Sequence, residues 1–352
     1  MALRGKAMRL VHVGNVLIGG GNPVSVQTMY DCPIPHERKE IDALLARLGR
    51  LHAMGCDIIR FSYPHLEDHD AFKEICALSP MPVVADIHFD WKCALDAIAC
   101  GAHAIRINPG NIGARWKVDE VFCAAKDHDC AIRIGLNKGS LPRTGNPDPA
   151  QRMVDYALQY LGWAEEKGFT NSVVSLKSSD PEEDYRAALR FAGQSDYPLH
   201  LGVTEAGSVV SSITRSTWVL GRLLTQGIGG TIRISITGPI ETEVQAGVEL
   251  LRTLGLRKKG VRVVSCPRCG RCSFDSQGFL ASVEQDLLAM DKTLTVAIMG
   301  CQVNGPGEAK HADLAITGIG NSVFLYEKGE LKQKVNAKDA KRVLLEAVKA
   351  FH

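Results

Sequence analysis

From Ser25 to Leu254 the chain repeats one pattern: a short run rich in Val and Ile that ends in a polar residue, a loop, then apolar residues at helical spacing. The runs that read as strands are residues 25–29, 57–62, 82–88, 104–108, 131–137, 172–177, 199–205 and 231–235. Between the first two, Ile41, Leu44, Leu45, Leu48 and Leu51 recur on one helical face. Helical stretches follow at 91–100, 119–127, 152–167, 181–191, 211–226 and 241–254. Eight such strands, seven of them followed by a helical stretch, predict an α/β fold closed as a (β/α)8 TIM barrel. An open doubly wound sheet would usually carry a glycine fingerprint after its first strand, and none stands here.

The pattern differs at both ends. Residues 12–23 read as a hairpin able to plug the bottom of the barrel, with Gly19, Gly20 and Gly21 as its turn. That glycine run precedes a strand and lacks the Lys–Ser/Thr pair of a phosphate loop. Residues 255–260, Gly-Leu-Arg-Lys-Lys-Gly, form a polar hinge. Beyond it come a strand at 261–264, a cysteine loop, a helix at 279–290, a strand at 294–299 and a second cysteine loop. Strands at 312–317 and 323–326 and a helix at 339–351 complete a small α+β domain. The expected division is therefore residues 1–256 and 257–352.

With 352 residues, 45% apolar, the chain can fill a barrel core and a small second one. A formal net charge of +2 argues against a nucleic-acid partner. No run approaches the roughly 18 apolar residues of a membrane span, and no signal peptide is recognisable, so a cytoplasmic protein is expected. Eleven cysteines in such a chain make a disulfide framework a poor reading. Cys32, Cys56, Cys76, Cys93, Cys100, Cys123 and Cys130 are scattered singly and read as small hydrophobes.

In a TIM barrel, chemistry sits where the strands end. Those positions hold Arg60, Asp86 with His88, Arg106 with Asn108, Arg133 with Asn137, Lys177, Thr204 with Glu205, and Arg233 with Ser235. A lone arginine there would more often be a structural ion pair, but four arginines and a lysine at equivalent positions outnumber the nearby acids. The missing counter-charge points to a small, multiply charged phosphate ester or diphosphate, since guanidinium forks match phosphate oxygens. Asp86 and His88 could bind hydroxyls or move protons, and Glu205 is the general-acid candidate.

The remaining four cysteines cluster late, as Cys266-Pro-Arg-Cys269-Gly-Arg-Cys272 and as Cys301 opening a loop that runs to Glu308. Thiolates from two loops suit either tetrahedral zinc or an iron–sulfur cluster. The single cysteine of the second loop and the adjacent proline and glycines favour the cluster. Glu308 could then supply a weak oxygen ligand; spacing does not decide which of Cys266, Cys269 and Cys272 is spared, and Cys272 is the one in doubt.

The assembled motifs resemble those of the 4-hydroxy-3-methylbut-2-enyl diphosphate synthase family along nearly the whole chain. They include Val84-Ala-Asp-Ile-His-Phe-Asp90, Arg106-Ile-Asn-Pro-Gly-Asn-Ile-Gly113, Thr204-Glu-Ala-Gly207, Cys266-Pro-Arg-Cys269 and Asn304-Gly-Pro-Gly-Glu308. The resemblance implies reductive ring opening and dehydration of 2-C-methyl-D-erythritol 2,4-cyclodiphosphate in isoprenoid biosynthesis. It implies a 4Fe–4S cluster on Cys266, Cys269, Cys301 and Glu308, with flavodoxin or ferredoxin as electron donor. It implies substrate contacts at the strand-end residues named above, with Glu205, Glu308 and His88 as catalytic candidates. The chain departs from the family after the first strand, reading Gln27-Thr-Met-Tyr-Asp-Cys32 in place of Gln-Ser-Met-Thr-Asn-Thr. A hinge of some six residues spans only about 20 Å, too little to round a barrel wall. A head-to-tail homodimer, each cluster serving its partner's barrel as in the bacterial family, is therefore expected. The rival readings are a zinc-stabilised phosphate-ester enzyme without redox chemistry and a non-catalytic iron–sulfur scaffold.

Overall fold

The computed structural model describes residues 7–141, 146–267, 269–270, 272–301, 307 and 310–351. The chain divides into two compact units, one of Met1–His52 with Cys56–Arg257, the other of Lys258–His352 with Ala53–Gly55.

The first unit opens with a hairpin, β1 (Val11–Val13) against β2 (Val16–Ile18). The barrel strands are β3 (Ser25–Met29), β4 (Ile58–Ser62), β5 (Val83–Ile87), β6 (Ala104–Ile107), β7 (Ala131–Asn137), β8 (Ser172–Lys177), β9 (His200–Leu201) and β10 (Thr231–Ile232). They form one parallel sheet in the order β8-β7-β6-β5-β4-β3-β10-β9. A single parallel bridge, Val174 to Leu199, joins β8 to the segment leading into β9 and closes the ring.

Eight helices accompany these strands: α1 (Arg38–Met54), α2 (His69–Leu78), α3 (Trp91–Ala99), α4 (Arg115–Asp127), α5 (Pro149–Glu166), α6 (Pro181–Gln194), α7 (Val209–Leu224) and α8 (Ile240–Thr253). Asp148 and Asp180 cap α5 and α6 through their side chains, each followed by a proline at the first helical turn. Asp90 does the same for α3 by accepting from the Lys92 N–H.

The hairpin packs where the sequence places it. Val11, Val13 and Ile18 are buried against Ile58, Val84, Ala104, Ala131 and Val173, which lie at or next to the first residues of five strands. Strand alternation then sets the barrel interior. Ile58, Val84, Ala104 and Ala131 form an apolar floor, and two residues later Arg60, Asp86, Arg106 and Arg133 point the same way.

The second unit holds a five-stranded sheet of β11 (Val261–Ser265), β12 (Leu294–Met299), β13 (Leu314–Ile319), β14 (Ser322–Glu327) and β15 (Glu330–Asn336). The first three run parallel and the last two pair antiparallel. Helices α9 (Ser276–Leu288) and α10 (Ala340–Ala350) pack on it, burying Val283, Leu287, Leu344 and Val348 with Val296, Ile298 and Ile316.

Several expectations need correction. Helix α2 went unread because its buried face is Ala71, Phe72, Ile75 and Cys76, a short stripe with two small residues. Strand β15 was missed because it is almost wholly exposed and polar, held only by pairing with β14. The runs 199–205 and 231–235 shrink to two-residue strands. Ladder bonding stops there, and Gly202 brings the chain against the Arg233 carbonyl, where a side chain would collide. Thr204, Glu205, Arg233 and Ser235 thus stand in loops just past their strands. Among the scattered cysteines, Cys32 and Cys123 are exposed while the other five are buried.

Candidate active site

The polar residues above the apolar floor converge inside the barrel. Asp86 is shared by two arginines: Arg106 Nη1 donates to Oδ1 at 3.2 Å, and Arg60 Nε lies 3.7 Å from Oδ2. Arg106 also donates to the Gly135 carbonyl at 3.2 Å, and Gly135 is a glycine because a side chain there would strike that guanidinium. Arg233 forks onto Glu243 of α8 at 3.0 and 3.1 Å. Glu243 accepts in addition from Thr28 at 2.6 Å and from the Ile236 N–H at 3.0 Å.

The other two cations have no carboxylate in contact. Arg133 donates to the Gln27 amide at 2.5 Å, and no ion pair reaches Lys177 among the described residues. The nearby Asp184 is pushed up to about 8 by burial, which the Ser178 N–H and Lys177 offset only in part. It therefore cancels little of the Lys177 charge at neutral pH. Five buried or half-buried cations (Arg60, Arg106, Arg133, Lys177, Arg233) thus face two carboxylates, Asp86 and Glu243.

The electrostatics record that excess. Burial, then Arg60 and the other guanidinium groups outweighing Asp86, holds Arg133 well below its usual range. Burial and the same neighbours do so for Lys177. Burial lowers Arg60 to about 10 even with Asp86 beside it. Burial alone would raise Asp86, but Arg60, Arg106 and Arg133 together hold it at about 2. An anion entering this space relieves repulsion already present.

The remaining candidates fall into two groups. His88 follows β5, half-buried, close enough to Asp86 to help keep it ionised. Thr204 and Ser235 are half-buried, and Glu205 is exposed with its backbone in the left-handed region at φ 51°. Asn108 is hydrogen-bonded within the loops around it: it donates to Ser140 at 3.1 Å and accepts from the Gly110 N–H at 3.1 Å. Asn137 ends β7, and its carbonyl accepts from the same Ser140 hydroxyl.

Three participants escaped the sequence reading. Glu243 occupies a core position in the helical stripe Ile240, Glu243, Val244, Gly247, and a glutamate there was the available signal. Gln27 is the inward residue of β3 that meets Arg133. His200, wholly buried beneath this layer, is held neutral by burial and by Arg133 and Lys177. In the departing loop, Tyr30 packs on Phe61 at 5.1 Å and Asp31 pairs with Arg47 at 3.0 Å. A cavity of about 700 Å³ opens beside it, lined in part by Met29, Ser62, Arg233 and Glu243.

In the second unit, Cys266 follows β11 and Cys301 follows β12 by one residue more. Those strands are adjacent and parallel, so both cysteines leave the sheet at one edge. The Gly300 N–H donates to Cys266 Sγ at 3.3 Å, a contact suited to a thiolate. Cys269 is exposed, and Cys272 Sγ donates to the Phe274 carbonyl at 2.9 Å. Glu308 lies outside the described residues.

A (β/α)8 barrel with a polycationic interior, joined to a small unit with cysteines at the ends of adjacent strands, defines a two-unit α/β protein with a cationic barrel and clustered cysteines. The chain belongs to the GcpE family: the GcpE TIM-barrel domain matches residues 8–248 and the GcpE protein C-terminal domain matches residues 262–350. Among curated relatives, 4-hydroxy-3-methylbut-2-en-1-yl diphosphate synthase (flavodoxin) of Geobacter sulfurreducens is 44% identical over 345 residues, covering 97% of this chain and 96% of that protein. The enzyme of the same name from Thermodesulfovibrio yellowstonii is 40% identical over 352 residues, 99% of each. Of solved structures, a dihydropteroate synthase from Xanthomonas albilineans matches with a TM-score of 0.50 at 13% identity, over 70% of this chain and 97% of that one. That likeness concerns the barrel fold alone. Among the described residues, no helix is long and apolar enough to cross a membrane.

Proposed function

We propose that this chain reduces 2-C-methyl-D-erythritol 2,4-cyclodiphosphate to 4-hydroxy-3-methylbut-2-enyl diphosphate, with ring opening and loss of water, drawing electrons from flavodoxin. The relatives' shared name supports the reaction. The observation that carries the site assignment is the surplus of buried cations over carboxylates in the barrel.

The barrel residues bind and orient. Arg133 and Lys177, lacking carboxylate partners, take the diphosphate oxygens, while Arg60, Arg106 and Arg233 stay oriented by Asp86 and Glu243. Charge developing on the leaving phosphate oxygen meets donors already in place, so little reorganisation is needed. Asp86 and His88 receive the substrate hydroxyls. Glu205 supplies the proton: a non-glycine residue at φ 51° at the mouth of a barrel is the kind of backbone outlier that function retains.

Cys266, Cys269 and Cys301, with Glu308, are the residues that would hold a 4Fe–4S cluster, and their chemistry fits it. The backbone N–H on Cys266 Sγ and the exit of two cysteines from adjacent strand ends support this donor set. When bound, the cluster supplies single electrons and a Lewis-acidic iron. Cys272, engaged with the Phe274 carbonyl, is left out. In this reading the barrel of one subunit works with the cysteine unit of another in a cytoplasmic head-to-tail homodimer. Mixing a barrel-dead subunit (Lys177→Ala) with a cluster-dead one (Cys266→Ser) should restore activity, and no recovery refutes that arrangement.

The decisive experiment is anaerobic purification, iron and sulfide analysis, and turnover of the cyclodiphosphate with reduced flavodoxin. A protein without inorganic sulfide, or one that leaves the cyclodiphosphate intact, overturns the proposal.

A further inference from the structure

Away from the barrel interior, a second set of metal-ligating side chains meets between α2 and α3. His69 opens α2, and Asp96 and Cys100 stand one turn apart at the end of α3. His69 Nδ1 lies 2.9 Å from Asp96 Oδ1 and 3.3 Å from Cys100 Sγ, and that sulfur is 4.0 Å from Asp96 Oδ2. Among the described residues this is the one set of three such side chains with ligand atoms all within 4.8 Å of each other.

One imidazole nitrogen serves both contacts, and that decides between two chemistries. A thiol–imidazole–carboxylate relay uses the two ring nitrogens separately, one toward sulfur and the other toward the carboxylate. Here Nδ1 faces both, so the ring cannot pass a proton between them.

Three lone-pair donors aimed at one point are instead what a small cation requires. Metal–ligand bonds of about 2.0–2.3 Å imply tetrahedral edges of about 3.3–3.8 Å; Nδ1 lies 2.9 Å from Oδ1 and 3.3 Å from Sγ, and the nitrogen, the sulfur and a carboxylate oxygen all lie within 4.8 Å of one another. The supporting shell is in place as well. Tyr63, fully buried after β4, donates its hydroxyl to Asp96 Oδ2 and fixes the carboxylate so that Oδ1 faces the imidazole.

We propose that His69 Nδ1, Asp96 Oδ1 and Cys100 Sγ form a site for one divalent transition-metal ion of borderline softness, zinc foremost, with water as the fourth ligand. A mixed nitrogen, oxygen and sulfur set disfavours magnesium and calcium, which take oxygen donors. Binding breaks the S–H bond and forms a sulfur–metal bond, the proton leaving to solvent, so affinity rises with pH. His69 and Asp96 side chains are 39% and 23% exposed, which gives the ion access. The bound ion ties α2 to α3 on the outer layer of the barrel, and none of its ligands belongs to the cationic interior.

The test uses the full-length chain, purified anaerobically with its iron retained, and equilibrium dialysis against zinc. Wild type should keep one zinc per chain beyond its iron, with a raised unfolding midpoint. Cys100→Ser and His69→Gln should each lose at least about a hundredfold in zinc affinity. With cobalt(II) as a second probe, the thiolate-to-metal band in the difference spectrum should vanish in Cys100→Ser. Iron content and turnover without added zinc check that each variant folds. If Cys100→Ser fails that check, His69→Gln, altered at a partly exposed ring, decides alone. No zinc retained by wild type, or equal affinity in wild type and His69→Gln, overturns the proposal.

Discussion

The barrel interior and the cysteine loops place their polar groups by different means. In the barrel each cation projects from a different strand or its immediate continuation, with Arg60, Arg106 and Arg133 two residues above the apolar floor and Lys177 four residues beyond Val173. The β-ladder and the plug beneath therefore hold the guanidinium groups near one another whether or not an anion is there. In the second unit Cys266 follows β11 directly and Cys301 follows β12 after one residue, whereas Cys269 stands outside any strand or helix. The barrel stores electrostatic repulsion on its strands, whereas in the cysteine unit Cys269 is not placed by a strand. Substitutions in the barrel should thus act mainly on binding and on stability with opposite signs. Those in the cysteine loops should act on the bound group.

The largest expected effect separates the units outright. Cys301→Ser should reduce turnover to background and deplete iron and sulfide, while diphosphate still protects the barrel against thermal unfolding. Loss of that protection would show that the units do not act independently. Next comes the counter-charge. Asp86→Asn leaves two guanidinium groups unpaired and should cost about 3–5 kcal/mol in denaturant unfolding. The wild-type pH dependence follows from the same carboxylate. Its folded pKa of about 2 lies below the unfolded value, so its stabilisation is complete above about pH 4. It should drain away as pH falls from about 4 through 2, and Asp86→Asn should flatten that acid limb.

Arg133→Met should do the reverse. It removes a charge with no carboxylate partner, so the ligand-free barrel should be unchanged or stabilised by up to about 4 kcal/mol. Diphosphate affinity, measured calorimetrically, should drop at least about 30-fold. A destabilised, ligand-free Arg133→Met would break the idea of stored repulsion. The smallest effect belongs to Cys272→Ser. With its thiol turned to the Phe274 carbonyl, the substitution should leave iron content and turnover within about twofold.

How much of this was legible in the sequence follows from the same contrast. Inward-facing strand positions have a strict period of two, so Arg60, Asp86, Arg106, Arg133 and Lys177 could be read from the strand ends. Glu243 could not be read that way, because it reaches Arg233 from a helix and only its place in an apolar stripe betrays it. Asn108 shows another limit: its place at a strand end was legible, but its hydrogen bond to Ser140 is one that no periodicity encodes. Helix α2 and strand β15 went unread because one has small residues on its buried face and the other is stabilised by a neighbour instead of by its own pattern.

The β1–β2 hairpin carries a kinetic consequence. By stopping one end of the barrel with Val11, Val13 and Ile18, it leaves the interior a cul-de-sac, so arriving and departing molecules must share a doorway. Under the proposed function, a departing diphosphate also has to leave the same guanidinium groups that would receive its successor. Release should therefore compete with recruitment, and accumulated end-product or plain pyrophosphate should throttle the catalyst by queueing at that single entrance.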